Sequence, residues 1–234
     1  MSSTPSSAPP PETVWDQLGG RVRETVLVEG RSFDIVRPAE SQRLLDHPAV
    51  HAAFESDEYM PYWADLWPAA RMLAQALVKE TPRPQTRVLE IGCGLGLPGI
   101  VALSLGMNVT FSDYDACALR FAAENARLNG FNDYQTLQLD WRYPPSDLRF
   151  PLLLAADLIY ELRNIEPLVR FIKQVLTDDG ECRLTDEDRI PAQALRDTLS
   201  RESLTYTTQI ARAAEPGGIR LKGTLYKVRR RPLT

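Results

Sequence analysis

The sequence predicts an α/β fold: a Rossmann-like, doubly wound, seven-stranded and mostly parallel sheet with an antiparallel C-terminal strand, preceded by an N-terminal hairpin and helical extension. Two observations predict it. From about residue 87, short apolar runs alternate with stretches of helical periodicity, and strands that alternate with helices form parallel sheets. In addition, a chain of 234 residues that is 44% hydrophobic and 25% charged has the composition of an ordinary globular protein.

The first N-terminal elements are predicted to be a tail and a hairpin. Residues 1–12 contain four serines and four prolines and lack the basic start and apolar centre of a signal peptide, so we expect a disordered tail. Residues 23–28 and 32–36 have strand character and flank Glu29-Gly30-Arg31. This arrangement is typical of a β-hairpin.

Helices are predicted between the hairpin and the core. Short helical segments are expected up to about residue 56. Trp67-Pro68 then begins a helix that extends to about Lys79, because proline is favoured at the first helical position. We therefore divide the chain into a disordered tail at 1–12, an N-terminal extension at 13–80 that packs on the core, and a core at 81–234.

The core is predicted from its alternating patterns. Its strands are expected at 87–91, 108–112, 135–139, 151–156, 181–185, 204–212 and 219–228. Its helices are expected at 97–105, 115–129, 164–176 and 191–201. The last two strands are joined by a tight turn that contains Pro216, Gly217 and Gly218, so they should pair antiparallel.

Charge and histidine content exclude several classes of protein. The 27 basic and 31 acidic side chains give a net charge of −4 and a pI near 5.4, whereas a general nucleic-acid binder would show a basic stripe. His47 and His51 are the only histidines. Pro48 is expected to break the turn between them, so we predict no metal site. The scarcity of histidine also argues against a Ser-His-Asp or Cys-His triad.

An uncharged stretch from Ile91 to Ser112 is long enough to imitate a membrane span. It contains five glycines and a proline, so we interpret it as a strand, a turn, a helix and a further strand of a soluble protein. The three cysteines are odd in number and share no metal-ligand spacing, which is typical of reduced thiols. We therefore expect a cytoplasmic protein with no membrane partner.

The most informative segment is the glycine-rich turn from Gly92 to Gly96, directly after the first core strand. Glycines let the backbone turn sharply and approach a ligand closely, and the next helix presents free N–H groups to a polar or anionic group. Asp113 follows Gly92 by 21 residues, where a carboxylate can accept hydrogen bonds from ribose hydroxyls. The alternative is a tight turn of any α/β sheet with Asp113 as a helix cap. The order of strand, glycines, helix, strand and acid favours a ligand site.

The glycine spacing leaves a dinucleotide as one possible ligand. Gly94, Gly96 and Gly99 formally satisfy G-x-G-x-x-G, the dinucleotide fingerprint, so an NAD-dependent oxidoreductase is an alternative. Glu90 argues against it. A carboxylate two residues before the first glycine would repel a pyrophosphate, whereas it suits a cationic amino group.

Residues after the later strands favour a different cofactor. Asp140-Trp141 follows the third core strand and offers an acceptor for an adenine amine and a flat face for its ring. The fourth core strand ends at a further acid, Asp157. Together with Glu90 and Asp113, this set suits S-adenosyl-L-methionine (SAM), which combines a sulfonium and an amino acid with adenosine.

These residues carry a resemblance to a known family. The motifs are Trp63-Ala64-Asp65-Leu66-Trp67-Pro68-Ala69, Glu90-Ile91-Gly92-Cys93-Gly94-Leu95-Gly96, Asp113, Leu139-Asp140-Trp141 and Ala155-Ala156-Asp157-Leu158-Ile159-Tyr160-Glu161. Over about residues 59–186 the chain resembles the class I, seven-strand SAM-dependent methyltransferases. Within them it resembles the protein-lysine methyltransferase group, methyltransferase family 16. One departure is Ala69-Ala70-Arg71, where the family often has a second glycine-rich feature.

The resemblance implies a role for each motif in SAM binding. Trp67 would line the cofactor cleft, the turn at 92–94 would wrap the methionine end, Asp113 would hold the ribose and Trp141 would cover the adenine. Ala156 would contribute its backbone. Together with the residues argued from their chemistry, the predicted cofactor-binding residues are Trp67, Glu90, Gly92, Cys93, Gly94, Gly96, Asp113, Asp140, Trp141 and Ala156.

Asp157 and Tyr160 are the predicted catalytic residues. They follow the carboxyl end of the fourth core strand, where open α/β sheets bind ligands, and a spacing of three lets them meet across one helical turn. In the resembled family this motif flanks the acceptor amine. The alternative is a helix-capping aspartate with a packed tyrosine.

The sequence therefore predicts a SAM-dependent methyltransferase that N-methylates a lysine of a protein substrate and releases S-adenosyl-L-homocysteine. Asp157 would orient the amine, and Tyr160 would supply a hydrogen bond and an aromatic wall. A small-molecule N-methyltransferase and a non-catalytic SAM-binding module are alternatives, in addition to the NAD-dependent oxidoreductase.

Overall fold

The computed structural model describes residues 20–80, 83–188, 191–214 and 220–231. The predicted tail at 1–12 and the turn after residue 214 lie outside the described residues. The strands are β1 (Arg21–Val28), β2 (Arg31–Pro38), β3 (Arg87–Ile91), β4 (Asn108–Asp113), β5 (Gln135–Gln138), β6 (Phe150–Ala156), β7 (Leu176–Asp186), β8 (Leu204–Ala214) and β9 (Arg220–Arg230). The α-helices are α1 (Gln42–Leu45), α2 (Pro48–Asp57), α3 (Pro68–Lys79), α4 (Leu97–Ser104), α5 (Ala116–Leu128), α6 (Ile165–Val175) and α7 (Ala192–Arg201).

Strands β3 to β9 form one seven-stranded sheet in the order β5-β4-β3-β6-β7-β9-β8. The first five strands in this order are parallel to one another, whereas β9 is antiparallel to both β7 and β8. The predicted Rossmann-like fold class is confirmed, and so is the antiparallel pairing at the C-terminus. β1 and β2 form the predicted hairpin as a separate antiparallel pair.

The hydrophobic core consists of two clusters on opposite faces of the sheet. Alternate residues of β6 divide between them: Leu152 and Leu154 belong to one cluster, Leu153 and Ala155 to the other. This division follows from the two-residue side-chain period of a strand. Helices α3, α4 and α5 contribute to the first cluster, and α6 and α7 to the second. Because both faces are covered, the central strand β6 is apolar throughout its length.

The N-terminal hairpin is fixed to the core by two asparagines of α5. The side chain of Asn125 accepts a hydrogen bond from Val36 N (2.8 Å) and donates to Val36 O (3.1 Å) and Leu95 O (3.0 Å). Asn129 makes the same pair of bonds to Asp34 N and O (2.9 and 2.8 Å). Each amide thus pairs with β2 as a neighbouring strand would. The hairpin also shares a hydrophobic cluster with the sheet, while the predicted division between 13–80 and 81–234 stays a prediction.

The strand β7 is longer than expected. It begins at Leu176, directly after α6, whereas the sequence placed it near 181–185. Leu176 pairs with Phe150, and the register then shifts before Leu152 pairs with Glu181. The polar residues 177–180 lie in this irregularity. Their composition favours a loop, and only the pairing with β6 extends the strand.

The predicted effect of Pro48 is wrong. Pro48 is the first residue of α2, and the carbonyl of His47 accepts hydrogen bonds from Val50 N (2.9 Å) and His51 N (3.1 Å). Proline therefore begins the helix, where it has no amide hydrogen to lose, instead of breaking it. Among the described residues, no group of three or more His, Cys, Asp and Glu is arranged to hold a metal.

The uncharged stretch from residue 91 to 112 is divided among four elements, as predicted. It contains the end of β3, the glycine turn, α4 and most of β4. The helix α4 has 8 residues, whereas a membrane-spanning helix needs about 20. Within the described ranges, no helix is long and apolar enough to cross a membrane.

The strand order creates a crevice at the carboxyl ends of β3 and β6. From β3 the chain adds β4 and β5 on one side and then places β6 on the other side. The connections after β3 and β6 therefore diverge, and open α/β sheets bind ligands at such a point. The glycine turn follows β3, Asp113 ends β4 and Asp157 follows β6. The fold thus brings these predicted site residues to one edge of the sheet.

Replacing Asn125 with alanine is expected to destabilise the protein by at least about 2 kcal/mol, because three backbone groups would lose a partner at a fully buried position and each unsatisfied group costs about 1–3 kcal/mol. Urea unfolding measures the loss. Asn129→Ala is the matched control: it makes the equivalent bonds from a half-buried position, where water can replace them. Equal losses in the two variants would contradict the account of how the hairpin is docked.

Candidate active site

A cleft of about 700 Å³ opens at the carboxyl ends of the central strands. All of the residues that the sequence predicted for cofactor binding and catalysis line it: Trp67, Glu90, Gly92, Cys93, Gly94, Gly96, Asp113, Asp140, Trp141, Ala156, Asp157 and Tyr160. The fold therefore brings together residues that are separated by up to 93 positions (160 − 67) in the sequence. Their individual roles stay predictions.

The glycine turn has backbone geometry that glycine adopts without strain. Gly92, Gly94 and Gly96 all have positive φ, at 57°, 51° and 82°. Gly94 also lies close to another part of the chain: a Cβ at this position would be 3.4 Å from Trp63 O. The turn can therefore carry backbone N–H groups into the cleft while Trp63 packs directly on it.

Glu90 is a buried carboxylic acid between β3 and α4. Its side chain is 3% exposed, and Oε2 accepts a hydrogen bond from Gly99 N at 3.0 Å. A Cβ at Gly99 would overlap both Oε2 and the ring of Phe111, so only glycine fits there. Burial raises the pKa of Glu90 well above its ordinary value. A cation bound in the cleft beside Glu90 would offset the cost of burying its charge.

Asp113 holds the glycine turn against the end of β4. Oδ2 accepts a hydrogen bond from Gly94 N (2.9 Å), and Oδ1 accepts one from Asp115 N (3.0 Å). Burial raises the pKa of Asp113 to about 7, although these backbone hydrogen bonds oppose the shift. The N-cap of α5 is Asp115, whose side chain accepts a bond from Cys117 N (2.7 Å). The alternative that Asp113 caps this helix is therefore wrong.

Asp140 and Trp141 follow β5 on the other side of the cleft. Both oxygens of Asp140 accept hydrogen bonds from the guanidinium of Arg142, at 2.8 to 3.0 Å. The guanidinium carbon of Arg142 also lies 5.6 Å from the centre of the Tyr114 ring. The predicted acceptor for an adenine amine is thus already engaged by an arginine. Trp141 is half-buried and packs against the second hydrophobic cluster.

Asp157 ends β6 in a sharp bend. Its backbone has a positive φ of 59°, and its amide donates to Thr185 O on β7 at 3.0 Å. Residues 157–161 are not helical, so the predicted helical turn between Asp157 and Tyr160 is wrong: the left-handed residue redirects the chain before a helix can begin. Helix α6 has Asn164 at its N-cap. Asp157 therefore does not cap it, and its side chain is 8% exposed at the cleft wall.

Three aromatic rings line the mouth of the cleft beside Asp157. The centres of the Tyr160 and Tyr62 rings are 5.1 Å apart, and those of Tyr62 and Trp67 are 6.1 Å apart, both edge to face. Trp67 Nε1 donates to Tyr62 O at 2.6 Å. Partial burial, reinforced by the charge of Glu161, raises the pKa of Tyr160 to about 12. Its hydroxyl therefore stays protonated at neutral pH and can donate a hydrogen bond.

Sequence analysis missed the segment that closes one side of the cleft. Residues 58–63 precede the Trp-Pro pair, and the sequence assigned none of them to the site, although Trp63 begins one of the family motifs. Arg163 pairs with both Glu58 and Glu161 and so joins this segment to the loop after β6. Further cleft residues that were not predicted include Tyr59, Met60, Tyr62, Trp63, Tyr114, Asp115, Arg142 and Arg163. The density of aromatic residues from Tyr59 to Trp67 was the available indication.

The sequence model of methyltransferase family 16, described as lysine methyltransferase, matches residues 54–204. A solved TehB-like SAM-dependent methyltransferase from Corynebacterium glutamicum has a similar fold, with a TM-score of 0.55 and 16% sequence identity over 83% of this chain and 100% of that chain. At this identity the likeness concerns the fold alone.

Two curated relatives are similar in sequence. The protein N-lysine methyltransferase METTL21A of Danio rerio is 30% identical over 161 residues, which are 62% of this chain and 72% of the relative. The histidine protein methyltransferase 1 homolog of Dictyostelium discoideum is 34% identical over 107 residues, which are 43% of this chain and 35% of the relative. The chain spans between 35% and 60% of the length of three curated relatives that it matches, so their substrates and partners do not transfer with the match.

The family match excludes one of the functions that the sequence left open. The NAD-dependent oxidoreductase is wrong, because the matching family model and the Danio rerio relative are both of methyltransferases. The G-x-G-x-x-G spacing therefore reflects the backbone geometry of the glycine turn and does not indicate a dinucleotide site. The chain belongs to methyltransferase family 16, the lysine methyltransferase family.

Proposed function

We propose that this chain is a SAM-dependent methyltransferase that N-methylates a lysine side chain of a protein substrate. The observation that carries the proposal is the position of Asp157 and Tyr160 on the cleft wall, after the carboxyl end of β6, the strand that pairs with β3 beside the glycine turn. The description of the family and the name of the Danio rerio relative support the same acceptor.

The cleft residues have the chemistry that the parts of SAM require. Asp113 would accept hydrogen bonds from the ribose hydroxyls, the glycine turn would hold the methionine end, and Trp141 would cover the adenine. Glu90 would lie near the cationic end of the cofactor. Asp140 would accept a hydrogen bond from the adenine amine, and its bonds to Arg142 would fix the orientation of its carboxylate.

The residues around the acceptor would position an amine. SAM supplies a methyl group that its sulfonium already activates, so most of the rate enhancement has to come from orientation, which can contribute about 7–11 kcal/mol. Asp157 would orient the amine and stabilise the cationic product. It is a poor general base, because a nearby anion favours the protonated amine. Tyr160 would donate a hydrogen bond, and Tyr62 and Trp67 would contact the aliphatic stem and the cation through their ring faces.

A histidine acceptor is the second candidate, because the Dictyostelium discoideum relative is named as a histidine protein methyltransferase homolog. A small-molecule amine would use the same cofactor residues. Incubating the protein with labelled SAM and a cell lysate separated by size distinguishes the three. Methyl-lysine after hydrolysis of the labelled protein supports the proposal. Methyl-histidine or label in small metabolites alone would contradict it.

With a lysine acceptor, the rate at subsaturating acceptor is expected to rise from pH 7 to pH 9. A lysine amine has an ordinary pKa of about 10.4, so its reactive neutral form becomes about tenfold more abundant with each pH unit in this range. Initial rates with labelled SAM measure the profile. An imidazole acceptor, with a pKa of about 6.5, is already mostly neutral at pH 7, and a flat profile would therefore contradict a lysine acceptor.

Binding of S-adenosyl-L-homocysteine is expected to release a proton near pH 7. The ribose hydroxyls need the ionised form of Asp113, whose pKa is about 7 in the free protein, so binding lowers this pKa. Affinity should rise by about tenfold from pH 6 to pH 8 as the ionised fraction grows. Calorimetry in buffers of different ionisation enthalpy measures the released proton. Asp113→Asn should abolish this component of the proton release, and the same release from that variant would assign it to another group.

Asp157→Asn is expected to lower turnover at least about tenfold, equivalent to 1.4 kcal/mol of barrier, while the affinity for S-adenosyl-L-homocysteine stays near that of the unchanged protein. Asparagine tolerates the left-handed backbone of this position, so the variant removes the charge and keeps the bend. Asp188→Asn is the control, because Asp188 has the same φ of 59° and lies outside the cleft lining. Full turnover by Asp157→Asn would contradict the catalytic assignment.

A further inference from the structure

We propose that Tyr59 is a positioning residue for the cofactor. Its hydroxyl anchors residues 59–63, which we call the cover segment, over the glycine turn and thereby sets the affinity for SAM. The inference rests on the proposed assignment of Asp113 to the ribose. It goes beyond the cofactor residues predicted from the sequence, because Tyr59 lies in a segment to which no role was assigned.

The anchor is a hydrogen bond between the cover segment and the start of α5. The hydroxyl of Tyr59 donates to Asp115 Oδ2, and Trp63 Nε1 donates to the hydroxyl oxygen of Tyr59 at 3.3 Å. Asp115 is only 2% exposed, and its other oxygen caps α5 through Cys117 N. A phenol that donates to a carboxylate in such a place makes a charge-assisted bond, which is stronger than one between neutral groups.

The backbone of Asp115 connects the anchor to the proposed ribose site. Asp115 N donates to Asp113 Oδ1, and Gly94 N donates to Asp113 Oδ2. Tyr59 is therefore linked to Asp113 and Gly94 through Asp115, whose carboxylate accepts the bond from Tyr59 and whose amide donates to Asp113. Through these bonds the position of the cover segment is linked to the orientation of the Asp113 carboxylate and to the glycine turn.

The far end of the cover segment packs on the glycine turn itself. Trp63 O lies 3.4 Å from the point that a Cβ of Gly94 would occupy, and the Trp63 ring lies 5.4 Å from the Phe121 ring of α5. Tyr59 and Trp63 both line the cleft, and Tyr62 of the same segment stands at the acceptor mouth against Tyr160. If the anchor is lost, the cover segment can move away from the turn and leave the cofactor site open.

Burial and the charge of Asp115 raise the pKa of Tyr59 above its ordinary value, so the phenol keeps its proton. Burial also raises the pKa of Asp115, and the hydrogen bonds from Tyr59 and Trp63 oppose that rise. Asp113 is a further acid that faces Tyr59. The protonated Tyr59 hydroxyl therefore donates a hydrogen bond to the buried Asp115 carboxylate, and the Asp113 carboxylate lies nearby.

Tyr59→Phe tests the inference, because it removes the hydroxyl and keeps the ring. The affinity for S-adenosyl-L-homocysteine, measured by calorimetry, is expected to fall about tenfold. Stopped-flow measurements should assign the loss mainly to faster dissociation. Trp63→Phe, which removes the indole donor and keeps an aromatic ring on the turn, should weaken binding in the same direction.

Tyr134→Phe is the matched control. Tyr134 also donates its hydroxyl within the fold, to Ala123 O at 3.0 Å, but it lies outside the cleft lining. We expect this variant to lose a similar amount of thermal stability and to bind S-adenosyl-L-homocysteine like the unchanged protein. Tyr59→Phe with the affinity and dissociation rate of Tyr134→Phe would overturn the inference, since Tyr59 would then have a structural role only.

Asp113→Ala separates this inference from the proposed site. If Asp113→Ala binds S-adenosyl-L-homocysteine like the unchanged protein, the assignment of the ribose to Asp113 is wrong, and the inference falls with it. If Asp113→Ala weakens binding and neither Tyr59→Phe nor Trp63→Phe does, the ribose assignment holds and the positioning role of Tyr59 is wrong. Weakened binding in all three variants, with Tyr134→Phe unaffected, supports the inference.

Discussion

The cleft depends on one buried hydrogen bond, from the amide of Gly99 in α4 to the carboxyl group of Glu90 in β3. It holds the first turn of α4 against the strand, and the chain between them can close only through the left-handed glycines of the turn. A side chain at Gly99 would overlap Glu90 and Phe111 and would separate the helix from the sheet. The same bond holds Glu90 in the lining of the cleft. One residue thus fixes the position of α4 and supplies an acidic group to the site.

Much of the fold could be predicted because its determinants are local. The apolar strands, the proline at the start of α3 and the glycines after β3 each follow from short patterns, and the order of these elements implies a parallel sheet with a crevice beside β3. The polar residues 177–180 misled the prediction of β7 for the same reason, because the strand includes them only between the pairings of Leu176 and Glu181 with β6, which their own composition does not indicate.

The cleft residues could be predicted in position but not in their contacts. Asp113, Asp140 and Asp157 lie at or just after the ends of strands, as the alternation of strands and helices in the sequence predicts. The engagement of Asp140 by Arg142 and the left-handed backbone of Asp157 depend on a turn and on a neighbouring strand, which no periodicity describes. The contact between Tyr59 and Asp115 spans 56 positions, and only the folded chain brings the two together. The proposed cofactor residues, which follow short strand and glycine patterns, are therefore easier to predict from sequence than the proposed acceptor residues, which lie in loops.

The central claim is that SAM binds across the crevice beside β3, with its sulfur facing the acid-tyrosine pair. A crystal structure with S-adenosyl-L-homocysteine tests it most directly. The account predicts the ribose hydroxyls within hydrogen-bonding distance of the Asp113 carboxylate, the adenine against Trp141, and the sulfur on the side of the cleft that Asp157 and Tyr160 line. A ligand bound outside this cleft, or one whose sulfur faces away from Asp157, would contradict the account.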